Sequence, residues 1–216
     1  MKKSILLCFL VLNGAIVFGQ SKKKSKKPKN TTEVGLNATY LARNFFGAED
    51  DVTSISDYLL YYKIIKGNNA MRFGLGGSIN QRVEDIPGNG QEVFGSILNA
   101  RIGYERRIGM GKNWIYYYGI DFIFHYDRLE TRTINLDDLT EDDTYLEFGA
   151  GPILGLQYMI NEHIGIATET GIFAFFSTFN QTEESVNFPE INKDQRFDQF
   201  RIAAIPPINV YLSVKF

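Results

Sequence analysis

Most of this chain alternates apolar and polar residues with a period of two, interrupted by clusters of Gly, Asn and charged residues. Successive strand side chains point to opposite faces, so the alternation predicts strands with one apolar and one polar surface. Eight are expected, near residues 33–46, 55–66, 70–83, 92–106, 113–127, 144–160, 163–177 and 197–216. In the last, Phe200, Ile202, Ala204, Pro206, Ile208, Val210, Leu212, Val214 and Phe216 share one face, with Arg201, Asn209, Ser213 and Lys215 on the other. The fifth carries Trp114, Tyr116 and Tyr118, then Ile120, Phe122 and Phe124, on a single face, an aromatic girdle followed by an apolar band. The third sets Met71, Phe73, Leu75, Ile79 and Val83 against Arg72, Ser78, Asn80 and Arg82. Several of these segments exceed the roughly 9–11 residues that a tilted strand needs to cross a bilayer.

The breaks alternate in length. Those at 67–69, 108–112 and 161–162 are short, whereas those at 47–54, 84–91, 128–143 and 178–196 are long. An even number of strands then leaves both chain ends on the short-turn side. The pattern describes an all-β fold, an eight-stranded antiparallel up-and-down transmembrane β-barrel over residues 33–216, with short turns and termini periplasmic and long loops outside. Pro152 and Pro206-Pro207 cannot donate ladder hydrogen bonds, so bulges or local breaks are expected there. A soluble, secreted lipid-binding barrel is the alternative, in which the apolar faces turn inward.

The amino terminus fits an exported protein. Lys2 and Lys3 precede an apolar run that ends at Gly19-Gln20, the order of a secretory signal peptide, expected over residues 1–19. Cys8, the only cysteine, falls within it, so the mature chain carries neither a disulfide nor a thiol nucleophile. Residues 20–32 hold Lys22, Lys23, Lys24, Lys26, Lys27 and Lys29 and are expected to be a disordered basic leader, able to meet anionic head groups. Charge is thus segregated: eight of the 23 Lys and Arg precede Asn30, none of the 25 Asp and Glu does, and the remainder carries a net −10. An exported chain with an acidic folded part is a poor match for nucleic acid.

The run from Phe148 to Ala167, FGAGPILGLQYMINEHIGIA, is a strand, a tight Asn turn and a second strand. It resembles a hairpin of the outer-membrane β-barrel domain family, the small porin-like and OmpA/OmpX-like proteins typical of Bacteroidota, where a signal ending in Gly-Gln is also usual. The terminal Phe216, with Val210, Leu212 and Val214 at alternate positions before it, resembles the carboxyl-terminal assembly signal of such barrels. The resemblance covers roughly residues 33 to 216 and implies a cell outer-membrane location, a monomeric eight-stranded meander, and contact with outer-membrane lipids, lipopolysaccharide and the barrel-assembly machinery. It carries over no catalytic residues.

By alternation, a lumen charge network is expected from Arg43, Arg72, Arg101, Asp121, His125, Glu147, Glu169 and Arg201, with Lys63, Arg82 and Gln157 on the same side. Side chains nearly fill an eight-stranded barrel, so these charges should pair and occlude the lumen; a small porin or channel is the alternative. His125 is the residue most similar to the histidine of lipid A deacylases, a family of eight-stranded outer-membrane barrels that uses a His-x-Ser pair, but the residue two positions on is Asp127, so the hydroxyl nucleophile is missing. The chain is therefore expected to be non-enzymatic, with no cofactor and no metal. The carboxylates Glu49, Asp50, Asp51, Asp137, Asp138, Glu141, Asp142 and Asp143 read as solvated outer loops without metal-site spacing. Envelope structure, or surface binding through the outer loops, is the expected role.

Overall fold

The computed structural model describes residues 30–46, 58–86, 89–134, 139–185 and 187–216, with the backbone alone described at 43–46, 84–86, 89, 134 and 191. The signal segment, the leader lysines, and Glu49, Asp50, Asp51, Asp137 and Asp138 lie outside the described residues. The elements run β1 (Asn30–Asn37), α1 (Ala38–Phe46), β2 (Leu60–Lys66), β3 (Asn69–Ile86), β4 (Asn89–Met110), β5 (Trp114–Ile134), β6 (Leu139–Met159), β7 (Ile164–Ser185), a 3-10 turn (Pro189–Ile191), β8 (Lys193–Ile205) and β9 (Val210–Lys215).

Consecutive strands pair antiparallel from β1 to β7. β8 and β9 both pair with β7, and β9 also pairs with β1, which closes the sheet into a ring of eight. Rungs followed from Leu36 through Leu60, Leu75, Ala100, Phe124, Phe148 and Phe176 arrive at Phe200, whereas the closing pair sets Leu36 against Leu212. That offset is the stagger that tilts the strands of a closed barrel.

The tight turns gather at one end. Gly67 and Gly111 hold φ of 63° and 75°, a left-handed conformation that suits glycine. In the third turn Asn161 Oδ1 accepts from the backbone N–H groups of His163 and Ile164 at 2.8 and 2.7 Å. The first and last described strands join the same rim: Phe216 N–H donates to Thr32 O at 2.8 Å.

Two expectations need correction. The first strand stops at Asn37 and the chain continues as helix α1, because Asn37 Oδ1 accepts from Tyr40 N–H at 3.0 Å and caps a helical turn. The long outer breaks are largely strand: β3 and β4 pair as far as Ile86↔Asn89, β5 and β6 as far as Thr133↔Leu139, and β7 and β8 as far as Glu183↔Lys193. Polar residues occupy both faces of these extensions, which hides the alternation, yet the backbone ladder continues and cross-strand pairs such as Arg128 with Asp142, at 2.7 Å, fit water on both sides.

Pro152 causes no bulge. Ala150↔Ala174 and Ile153↔Gly171 keep one register and only the rungs between them are open. Pro206-Pro207 does break the eighth strand, and α1 bridges the gap: Val210 N–H donates to Thr39 Oγ1 at 2.9 Å, while the Thr39 hydroxyl donates to Ile208 O at 3.4 Å.

The two surfaces of the wall are inverted relative to a soluble barrel. Leu75, Ile102, Ile120, Phe122, Phe148, Ile172, Phe200 and Ile202 are exposed on the outside, while Glu33, Glu105 and Asp121 are fully buried inside. Tyr117, Ile123, Ile153, Phe173 and Phe175 form an apolar inner layer. Gly155 faces Tyr117 so closely that a Cβ there would overlap its ring, and the ring is held beneath the Lys63 ammonium, 4.4 Å from its centroid. Gly155→Ala is therefore expected to destabilise the barrel by about 1–3 kcal/mol through overpacking, measured as a lower urea midpoint for the protein refolded in lipid vesicles.

Candidate luminal site

Inward positions of eight strands, β1 to β7 and β9, converge on a continuous network of ion pairs and hydrogen bonds. Nearest the tight turns, Glu33 on β1 accepts from Arg107 at 3.2 Å, Tyr61 Oη at 3.1 Å and Gln157 Nε2 at 3.0 Å. Gln157 also accepts from Arg107 and reaches Ser213 Oγ at 3.1 Å, tying β6 to β9. Above it, Glu105 on β4 accepts from Lys63 at 3.0 Å and Arg72 at 3.2 Å, with Arg107 at 3.8 Å. Glu169 on β7 takes Arg72 at 2.7 Å, Arg101 at 2.6 Å and the Tyr58 and Tyr117 hydroxyls at 2.8 and 3.3 Å. Asp121 on β5 sits between the Nε atoms of Arg101 and Arg72, the latter at 3.5 Å.

Four cations thus face four carboxylates. Each carboxylate touches at least one guanidinium, and Glu105, Asp121 and Glu169 touch two or more, so every buried charge has a compensating partner. The space among Tyr58, Tyr61, Lys63, Arg72, Tyr117 and Glu169 is too small to admit a water molecule. Further out, Arg201 clamps Glu147 at 2.7 Å and lies 4.7 Å from the Phe175 ring centroid. Tyr145 Oη donates to the same carboxylate at 2.8 Å.

Of the residues expected in the lumen, Arg72, Arg101, Asp121 and Glu169 join the central network, as do Lys63 and Gln157, and Glu147 and Arg201 form the separate outer pair. His125 belongs to neither: its Nδ1 lies 2.6 Å from Asn99 Oδ1 and its ring packs edge-on against Tyr145. Arg82 is exposed toward the far end of β3. Arg43 lies in α1 rather than on a barrel strand, and its side chain is outside the described residues. Alternation alone did not single out Glu33, Tyr58, Glu105 or Arg107. Glu105 and Arg107 share the parity of Arg101, a readable signal, whereas Tyr58 precedes β2 and reaches the lumen only through the tertiary fold.

Bound carboxylates of this kind are poor general bases and poor metal ligands, because their lone pairs are already committed to cations. Among the described residues no group of three His, Cys, Asp or Glu is arranged to hold a metal ion. Val210, Leu212 and Val214 point outward from β9 and Phe216 is exposed beside it, at the seam with β1.

The geometry defines a closed eight-stranded antiparallel barrel with an apolar exterior and a charged interior. No protein-family model matches the chain, and no curated protein does. A solved structure, CarO of Acinetobacter baumannii, is similar to it at 9% identity, covering 90% of this chain and 98% of that one with a TM-score of 0.29, a likeness too low to add to what the barrel's own geometry establishes.

Proposed function

We propose that this chain is a non-enzymatic, integral outer-membrane β-barrel, a monomer with an occluded lumen, acting in envelope structure or surface binding through its projecting strand ends. The observation that carries the reading is the inverted polarity of the wall, with Phe122, Ile172 and Ile202 outside and Glu33, Glu105 and Asp121 buried within. Water is the wrong solvent for that exterior, and bilayer hydrocarbon is the right one. A soluble lipid-binding barrel needs an apolar cavity, and this lumen holds paired charge instead. Its proposed partners are outer-membrane lipids, lipopolysaccharide and the barrel-assembly machinery.

The gathering of tight turns and both described chain ends at one rim supports a periplasmic position for that rim, with the long extensions of β3 to β8 outside. The filled space around Lys63, Arg72 and Glu169 supports a plug rather than a pore. Protein from purified outer membranes is expected to migrate differently in boiled and unboiled gel samples, and to give no channel steps in planar bilayers. Absence of the protein from the membrane fraction would overturn the membrane assignment, and stepwise conductance would replace the plug with a small porin.

A further inference from the structure

Near the tight turns, cations stand on both faces of the wall. Lys63, Arg72, Arg101 and Arg107 inside are all paired with carboxylates. Lys66 and Arg106, exposed on the outer face near the tight turns, have no carboxylate within ion-pair distance among the described residues. They flank a single strand, for Lys66 on β2, Asn69 on β3, Arg106 on β4 and Tyr118 on β5 occupy one continuous rung. Tyr104 and Ile120 stand on the adjacent rung, and Asn68, Asn69, Tyr104, Arg106, Tyr118 and Ile120 line an outward-facing groove of about 560 Å³, with Lys66 one strand beyond Asn69 at its margin.

The geometry points to this groove as a binding site for the phosphate of an anionic phospholipid, a reading that rests on the proposed membrane location. The level is right: Tyr104, Trp114 and Tyr158 are exposed at the same end, and aromatic side chains of this kind sit at the head-group boundary. The chemistry is right as well. Arg offers a planar pair of donors to phosphate, Lys adds a second positive charge, Asn68 and Asn69 supply amides for ester and hydroxyl oxygens, and Ile120 begins the apolar surface along which an acyl chain would run. Among the described residues no carboxylate pairs with these two cations, so the proposed counter-charge is the lipid phosphate.

The test uses the full chain folded in micelles containing equal amounts of phosphatidylglycerol and phosphatidylcholine with identical acyl chains, with retained lipid counted by native mass spectrometry. Wild-type protein is expected to retain phosphatidylglycerol in preference by at least roughly fivefold, about the factor that one interfacial cation supplies. Arg106→Gln with Lys66→Gln should abolish that preference, either single change should reduce it, and Arg106→Lys with Lys66→Arg should keep most of it. Equal retention of the two lipids by wild type overturns the site, as does a preference that the Gln variants leave unchanged. Boiled and unboiled samples of the same preparation separate the two failures. A heat shift without lipid preference removes the site alone, and a wild type lacking the shift removes the membrane reading together with it.

Discussion

Glu169→Ala is expected to destabilise the folded barrel by about 3–5 kcal/mol, the cost typical of removing one partner from a buried ion pair. Glu169 accepts hydrogen bonds from Arg72, Arg101, Tyr58 and Tyr117, so its loss leaves four donors short of an acceptor in a space closed to water. It also turns four cations against four carboxylates into four against three. Asp121 and Glu105 remain beside the two guanidiniums and recover part of the loss, which sets the effect below that of an isolated buried charge. Arg101→Ala with Glu169→Ala should cost less than the sum of the single changes, because removing both partners restores neutrality. The exposed Lys193–Glu183 pair is the control, and Glu183→Ala should change stability by no more than about 1 kcal/mol. Urea midpoints in lipid vesicles, read from the single tryptophan Trp114, check all of these. An unchanged midpoint for Glu169→Ala would mean that solvent hydrates the network, and the plug would have to be abandoned.

The second large effect concerns the opposite surface. Phe122→Arg should cost about 2–4 kcal/mol, the penalty for a basic side chain on the lipid face near the bilayer midplane. Phe122 is 57% exposed and lies on β5 between the girdle residue Tyr118 and the solvated Arg128, so its surroundings are apolar on either side along the strand. The sign is what makes the experiment decisive. In a water-soluble barrel the same change would remove an exposed ring and add charge, leaving stability within a few tenths of a kcal/mol, as is usual for surface substitutions. Folded yield and urea midpoint in vesicles separate the outcomes, and a neutral result would withdraw the membrane assignment.

Alternation carried the fold reading where the two faces meet different solvents. From Met71 to Leu75, from Ile120 to Phe124 and from Val210 to Val214 every second residue is apolar and outward, and the strands lie where that pattern puts them. It faded wherever both faces are wet. Thr131, Arg132 and Thr133 read as loop although they pair with Glu141, Thr140 and Leu139, because a ladder made by backbone groups places little demand on side chains there. It faded again at the membrane edge, where Arg106 and Arg107 point to opposite sides and only the second enters the lumen. Helix α1 was illegible for another reason: Ala38 to Phe46 suits either a strand or a helix, and the choice follows from the Asn37 cap and from the tertiary contact of Thr39 with the broken strand.

The wall is sealed by its first and last strands, with Glu33 to Asn37 opposite Lys215 to Tyr211. Glu33 enters from the first strand of the ring and Ser213 from the last, and Gln157 hydrogen-bonds both. An up-and-down order therefore makes completion of the interior depend on the final six-residue strand, which is the most distant in sequence from the first strand it closes against. Without that strand the ring is open, and Glu33 and Gln157 lose the wall that screens them from the surroundings.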